Sequence, residues 1–164
     1  MAYQRLQVSR SLAVIPSTTV LIPDPATEMF SGVADFSVAG TLTDVGTTFT
    51  TLGIQVGKAI VYNTTAGIAY YVDGVTDNLN LSLSPSSAGG ATDAYVIYAN
   101  ATQACTLYSG TAQDITVFMS ADTGNMHAPT TTQKFVAVPA GSFMPTLVTG
   151  VSTADSPTNL VALW

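Results

Sequence analysis

Leu79-Asn80-Leu81-Ser82-Leu83-Ser84 alternates apolar and polar residues with a period of two, and the chain offers little at the 3.6-residue spacing of an amphipathic helix. β-branched and aromatic residues abound and Glu28 is the only glutamate. Gly and Asx punctuation recurs throughout, so short strands joined by turns are what this pattern can build. The expected fold class is all-β.

The segmentation follows from the same signals. Residues 1–32 read as an extended arm, because Pro16, Pro23 and Pro25 interrupt two short β-type runs at 12–15 and 18–22. Proline has no N–H for a ladder, which confines such a segment to a sheet edge or a partner's surface. The arm either crosses to a neighbour or lies along its own domain's edge. Residues 33–100 read as a compact β unit. Its expected strands are 36–38, 41–43, a pair or a bent strand about Gly57 across 54–62, 68–72, 79–84 and 94–98, with Asp73-Gly74 as the strongest turn signal. Five or six short strands in so few residues suit a small barrel. Residues 101–164 restart the pattern at 105–108 and 114–119. A polar loop over 120–133 follows, then strands at 135–138, 143–148 and 159–164.

Of 164 residues, 47% are hydrophobic and 9% charged, with Lys and Arg numbering 4 and a net charge of −6. Disorder requires the opposite balance. Mean hydropathy is positive, yet no apolar run approaches the roughly 18–20 residues that cross a bilayer as a helix. Arg5 and Arg10 precede a short apolar run at 12–15, but Pro16 closes it without a cleavage motif, so the segment is expected in the mature protein. The four cations, Arg5, Arg10, Lys58 and Lys134, are scattered, which leaves no footprint for nucleic acid. Thr, Ser, Asn and Gln must cover the outside. Neutral polar groups are cheaper to desolvate than charged ones, which favours a subunit with extensive protein contacts.

Catalytic chemistry has little to work with. His127 is the only histidine and Cys105 the only cysteine, so neither a zinc site nor an intrachain disulfide is expected. Cys105 reads as a small buried hydrophobe on a strand. The aspartates mostly sit beside turn residues, as at Asp77-Asn78, where the carboxylate bonds its own backbone. Gly57-Lys58-Ala59 lacks the glycine spacing and hydroxyl of a phosphate loop, and Ser109-Gly110 lacks the flanking glycine of a nucleophile elbow. The patterns at Asn63, Asn80 and Asn100 match the glycosylation motif, as a Thr- and Ser-rich chain does by chance. Tyr70-Tyr71 and the pair Tyr95 and Tyr98 could in principle stack on sugars. Adjacent strand residues face opposite sides, so Tyr70 and Tyr71 cannot form one platform, and packing is the expected role of all four. No catalytic, cofactor-binding or metal-binding residue is expected, and no enzymatic activity.

Three stretches carry a resemblance: Tyr3-Gln-Arg-Leu-Gln-Val-Ser-Arg-Ser-Leu-Ala-Val-Ile-Pro-Ser17; Gly40-Thr-Leu-Thr-Asp44 with Thr51-Leu-Gly-Ile-Gln-Val-Gly57 and Ile60-Val-Tyr-Asn-Thr-Thr65; and Cys105-Thr-Leu-Tyr-Ser-Gly110 with Val136-Ala-Val-Pro-Ala-Gly-Ser-Phe143 and Leu160-Val-Ala-Leu-Trp164. Together they resemble small virion structural proteins of tailed phages, especially those of marine and cyanobacterial hosts, and the last is similar to head-spike-base proteins. The 120–133 loop is longer and richer in Thr than in spike bases. The resemblance implies that residues 33–100 are an insertion into an outer β domain.

The expectation is therefore a β-sandwich-like domain from 1–32 plus 101–164, with a small β barrel inserted at 33–100. The implied role is a capsid decoration or cement protein, or a head-spike base, on the outer capsid surface. Its partners would be copies of itself and the major capsid protein or another virion protein. A tail, neck or baseplate component is the alternative within that class, and a carbohydrate-binding host-attachment module the alternative outside it.

Overall fold

A computed structural model describes residues 8–100, 104–119 and 131–164. Among them there is no α-helix, and two single 3-10 turns are the only helical pieces. The strands are β1 (Ser11–Ala13), β2 (Glu28–Ala34), β3 (Thr41–Thr43), β4 (Ile60–Asn63), β5 (Ile68–Val75), β6 (Asn80–Ser84) and β7 (Asp93–Tyr98). They continue with β8 (Thr106–Ser109), β9 (Gln113–Met119), β10 (Thr132–Val138), β11 (Ser142–Phe143), β12 (Val148–Val151) and β13 (Leu160–Leu163). All pairings are antiparallel and make three sheets, in the orders β2-β7-β4-β5-β6-β3, β1-β13-β8-β11 and β10-β9-β12.

The six-stranded sheet curls around an inner core of Phe36, Leu42, Phe49, Val61, Tyr70, Val72, Leu81, Leu83, Tyr95 and Ile97. The period of two is plain on β6, where Leu81 and Leu83 are buried and Ser82 between them is exposed. The central strands carry apolar residues in both parities, because their outer face is covered too. Ile60, Tyr62, Ala69, Tyr71 and Tyr98 form a second cluster with Val20, Leu12, Ile15 and Leu21 of the arm. β2 runs from Glu28 across position 33, and the chain enters and leaves the sheet side by side: Ala99 N–H donates to Thr27 O at 2.9 Å and Asp24 N–H to Asn100 O at 3.3 Å.

The expected closed barrel does not form. Its two edges meet in a single bridge, in which Asp35 and Thr43 exchange N–H···O bonds of 2.9 Å. Beyond it the Asp44 N–H turns to Leu79 O at 2.9 Å instead of to β2. The Asp44 side chain fills the seam: a Cβ at Gly32 of β2 would stand 3.1 Å from Asp44 Oδ2. A carboxylate wedged between the edges takes the place of a ladder.

Other elements depart from their local signals. Asp73-Gly74 makes no turn but a bulge inside β5, where Val72 pairs with Leu83 and Gly74 with Ser82, leaving Asp73 as the extra residue. The reversal comes later, and Asp77 closes it by accepting the N–H groups of Leu79 (2.8 Å) and Asn80 (2.9 Å), as an Asx turn does. Leu79 is exposed, outside the β6 alternation. Residues 54–59 form turns rather than a strand, with Gly57 at φ 76°. Residues 36–38 and 18–22 are not strands either, although Phe36, Val20 and Ile22 are buried. The expected strand at 143–148 breaks at Pro145, so β11 and β12 join different sheets.

The two smaller sheets face each other across a sandwich core. Leu107, Leu160 and Ala162 come from one sheet, Ile115, Val117, Val148 and Val151 from the other, with Cys105, Met144 and Ile22 filling between them. A bridge between Cys105 and Val148 joins the sheets at one end. The described part of the amino-terminal arm lies along its own chain: β1 pairs with β13, Ser17 N–H donates to Val151 O (2.8 Å) and Ile22 N–H to Thr149 O (2.9 Å). Leu21 N–H donates to the Tyr71 hydroxyl at 3.1 Å. The arm thus mortars the six-stranded sheet onto the sandwich.

Candidate association surface

Alternation along β1, β13, β8 and β11 sends Leu12, Leu107, Leu160 and Ala162 into the sandwich core, and their neighbours to the opposite face. The register sets those neighbours in line. Ala13 stands opposite Val161, Val161 opposite Tyr108, and Tyr108 opposite Phe143, one residue from each of the four strands. A second row runs Ser11, Leu163, Thr106. Phe143 is 56% exposed and its ring lies 5.3 Å from that of Tyr108. A shallow groove lined by Thr106, Phe143, Met144, Pro145, Thr146 and Leu147 continues the patch at its edge, and Leu147 is 52% exposed.

Neither row holds an acid or a base other than the Tyr108 phenol. The solvent face of an antiparallel sheet is ordinarily polar, and an uncharged face of this kind is inexpensive to desolvate against another protein. Four strands about 4.8 Å apart and two to four residues long present roughly 200 Å². That is well under the ~800 Å² per partner of a stable one-to-one interface.

The residues singled out in the sequence are placed elsewhere. Tyr70, Tyr71, Tyr95 and Tyr98 are all buried, Tyr70 and Tyr95 in the inner core and Tyr71 and Tyr98 against the arm, so none offers a sugar platform. Burial raises the phenols of Tyr71 and Tyr98 to about 12. Cys105 is buried with its thiol pushed up to about 12 by desolvation. Ser109 donates to Thr111 O at 2.7 Å and accepts Gln113 Nε2 at 3.0 Å, clipping the β8–β9 connection. Bonds from Asn80 and Leu79 hold the Asp77 carboxyl below its ordinary range, and bonds from Ser37 do the same for Asp35. Arg10 pairs with Asp24 at 2.9 Å, and Lys134 bridges Asp114 (3.0 Å) and Asp155 (2.7 Å). Among the described residues no group of three His, Cys, Asp or Glu side chains could hold a metal ion, and no helix is long and apolar enough to cross a membrane. His127 and most of the 120–133 loop lie outside the described residues.

The apolar row itself escaped the linear reading. Its trace was present in Leu160-Val-Ala-Leu163, apolar in both parities, a pattern that marks a strand with something to cover on each side. No known family model, curated protein or solved structure matches this chain.

Proposed function

We propose that this chain is a structural protein of a phage virion, a capsid decoration or cement protein or the base of a head spike, acting through many weak protein contacts. The observation that carries the reading is the uncharged row Ala13, Val161, Tyr108, Phe143 across a whole sheet face. Its size suits a contact repeated over a lattice and is too small for an isolated pair. The partners are copies of this chain and the major capsid protein or another virion protein. The net charge of −6 favours the outer shell over the DNA-facing lumen, where packaged phosphates repel it.

Quantitative mass spectrometry of purified particles tests this. A ratio of one copy per capsid subunit, or a simple fraction such as one third, is the expected result for a shell-covering protein. A ratio of a few per cent moves the protein to a vertex, neck or tail ring, and absence from particles overturns the reading. Val161→Lys is expected to abolish occupancy while leaving the folded monomer intact, because position 161 points away from the core.

A further inference from the structure

Residues 8–22 make their tertiary contacts with segments distant in sequence. β1 pairs with β13, Ser9 N–H donates to Trp164 O (2.7 Å), Val14 N–H to Leu160 O (3.0 Å), Ser17 N–H to Val151 O (2.8 Å) and Ile22 N–H to Thr149 O (2.9 Å). Val20 and Ile22 are buried, 2% and 3% exposed, and Leu12, Ile15 and Leu21 pack beside them. The local bonds of the arm, from Thr19 and Val20 N–H to Ser17 Oγ, would travel with it. The junction to β2 stays with β2: Asp24 Oδ1 accepts the Ala26 N–H (2.9 Å), Asp24 O the Thr27 hydroxyl (2.7 Å), and Asn100 O the Asp24 N–H. Pro23 and Pro25 stiffen this junction.

None of these contacts requires arm and groove to belong to one chain. We propose that residues 8–22 are an exchange element, and that in the assembled state the arm of one copy occupies the groove between the two lobes of a second copy. The groove is shaped for this segment, since it already holds it. An exchanged arm buries Leu12, Val14, Ile15, Val20, Leu21 and Ile22 across the interface, which supplies what the outer face, at roughly 200 Å², lacks against the area a stable pair needs. The Arg10–Asp24 ion pair would then link two chains. Exchange of an identical element is a low-cost route to oligomers because the contacts are the native ones. The proposal is independent of what docks on the outer face.

The test is a cysteine pair, Ser11→Cys with Leu163→Cys, in the full chain carrying Val161→Lys, because both cysteines lie on the outer face and that substitution blocks association through it. These positions are directly opposed and follow the mutually bonded pair Arg10 and Trp164, so they form a non-hydrogen-bonded pair with Cα atoms about 4.5 Å apart, within disulfide reach. Cys105 is buried and does not compete. Size exclusion separates monomer from oligomer before oxidation, and each fraction is run on a non-reducing gel. Exchange predicts intrachain links in the monomer and covalently joined chains in the oligomer. Oligomers linked only within chains would overturn the exchange. A chain that stays monomeric at every concentration would overturn it as well.

Discussion

The Tyr95 hydroxyl donates to Asp44 Oδ2 at 2.7 Å, joining two buried residues that lie 51 positions apart, at the seam where the six-stranded sheet fails to close. Asp44 Oδ1 accepts the Gly46 N–H at 2.7 Å. Burial first, and then the bond to Asp44, push the Tyr95 phenol far above its ordinary range.

Tyr95→Phe keeps the ring in the core and removes the donor. Asp44 keeps the Gly46 N–H on Oδ1, but its buried Oδ2 loses its donor, which costs about 1–3 kcal/mol. Urea denaturation is expected to show a loss of that size with an unchanged m-value. An unchanged midpoint would show that the seam does not depend on this bond.

Gly150 stands opposite Phe118 on β12 and β9, and a Cβ there would lie 2.7 Å from the Phe118 ring and 3.3 Å from Leu21. Phe118 is buried, so the ring has little room to yield. Gly150→Ala is expected to destabilise by roughly 1–3 kcal/mol through overpacking. Phe118→Leu in the same chain should recover part of that loss. A double-mutant cycle with no coupling would refute the contact as the cause.

Alkaline pH should unfold the protein. Burial raises Tyr71 and Tyr98 to about 12 and shifts Tyr62 and Tyr70 in the same direction. In the unfolded chain these phenols ionise near 10. Between pH 10 and 12 the unfolded state therefore holds fewer protons, and stability falls as pH rises, by about 1.4 kcal/mol per pH unit for each tyrosine neutral only when folded. Below pH 10 these groups leave stability flat. Tyrosinate absorbance should rise together with the loss of near-ultraviolet circular dichroism. Ionisation of Tyr62, Tyr70, Tyr71 and Tyr98 near pH 10 with the fold intact would contradict their burial.

Cys105 should be inert to thiol reagents in the native state. Its sulfur lies 3.5 Å from Val148 O, the residue is 1% exposed, and the thiolate is disfavoured by desolvation. Modification is expected to follow the unfolding equilibrium, rising with urea in step with the unfolded fraction. Fast labelling in buffer would place the thiol at the surface.

Local chemistry alone dictated much of this molecule. Alternation at Leu81-Ser-Leu83, the β-branched runs and the lack of helical spacing made it all-β. Asp77 was legible as a turn carboxylate and Cys105 as a buried hydrophobe, because both depend on immediate neighbours and on side-chain type. The remainder was decided between segments far apart. Asp73-Gly74 carries a strong turn signal, yet β6 pairs on both sides of it and turns it into a bulge. Asp44 stops a sheet from closing because Gly32 and Tyr95 are there to receive its carboxylate. Pro145 divides a continuous apolar run between two sheets, and the arm settles between the lobes because both offer it apolar surface. The row Ala13, Val161, Tyr108, Phe143 exists only through the register of four strands drawn from both ends of the chain. A strand's own residues determine which side chains share a face, but pairing and packing with distant strands determine what that face lies beside.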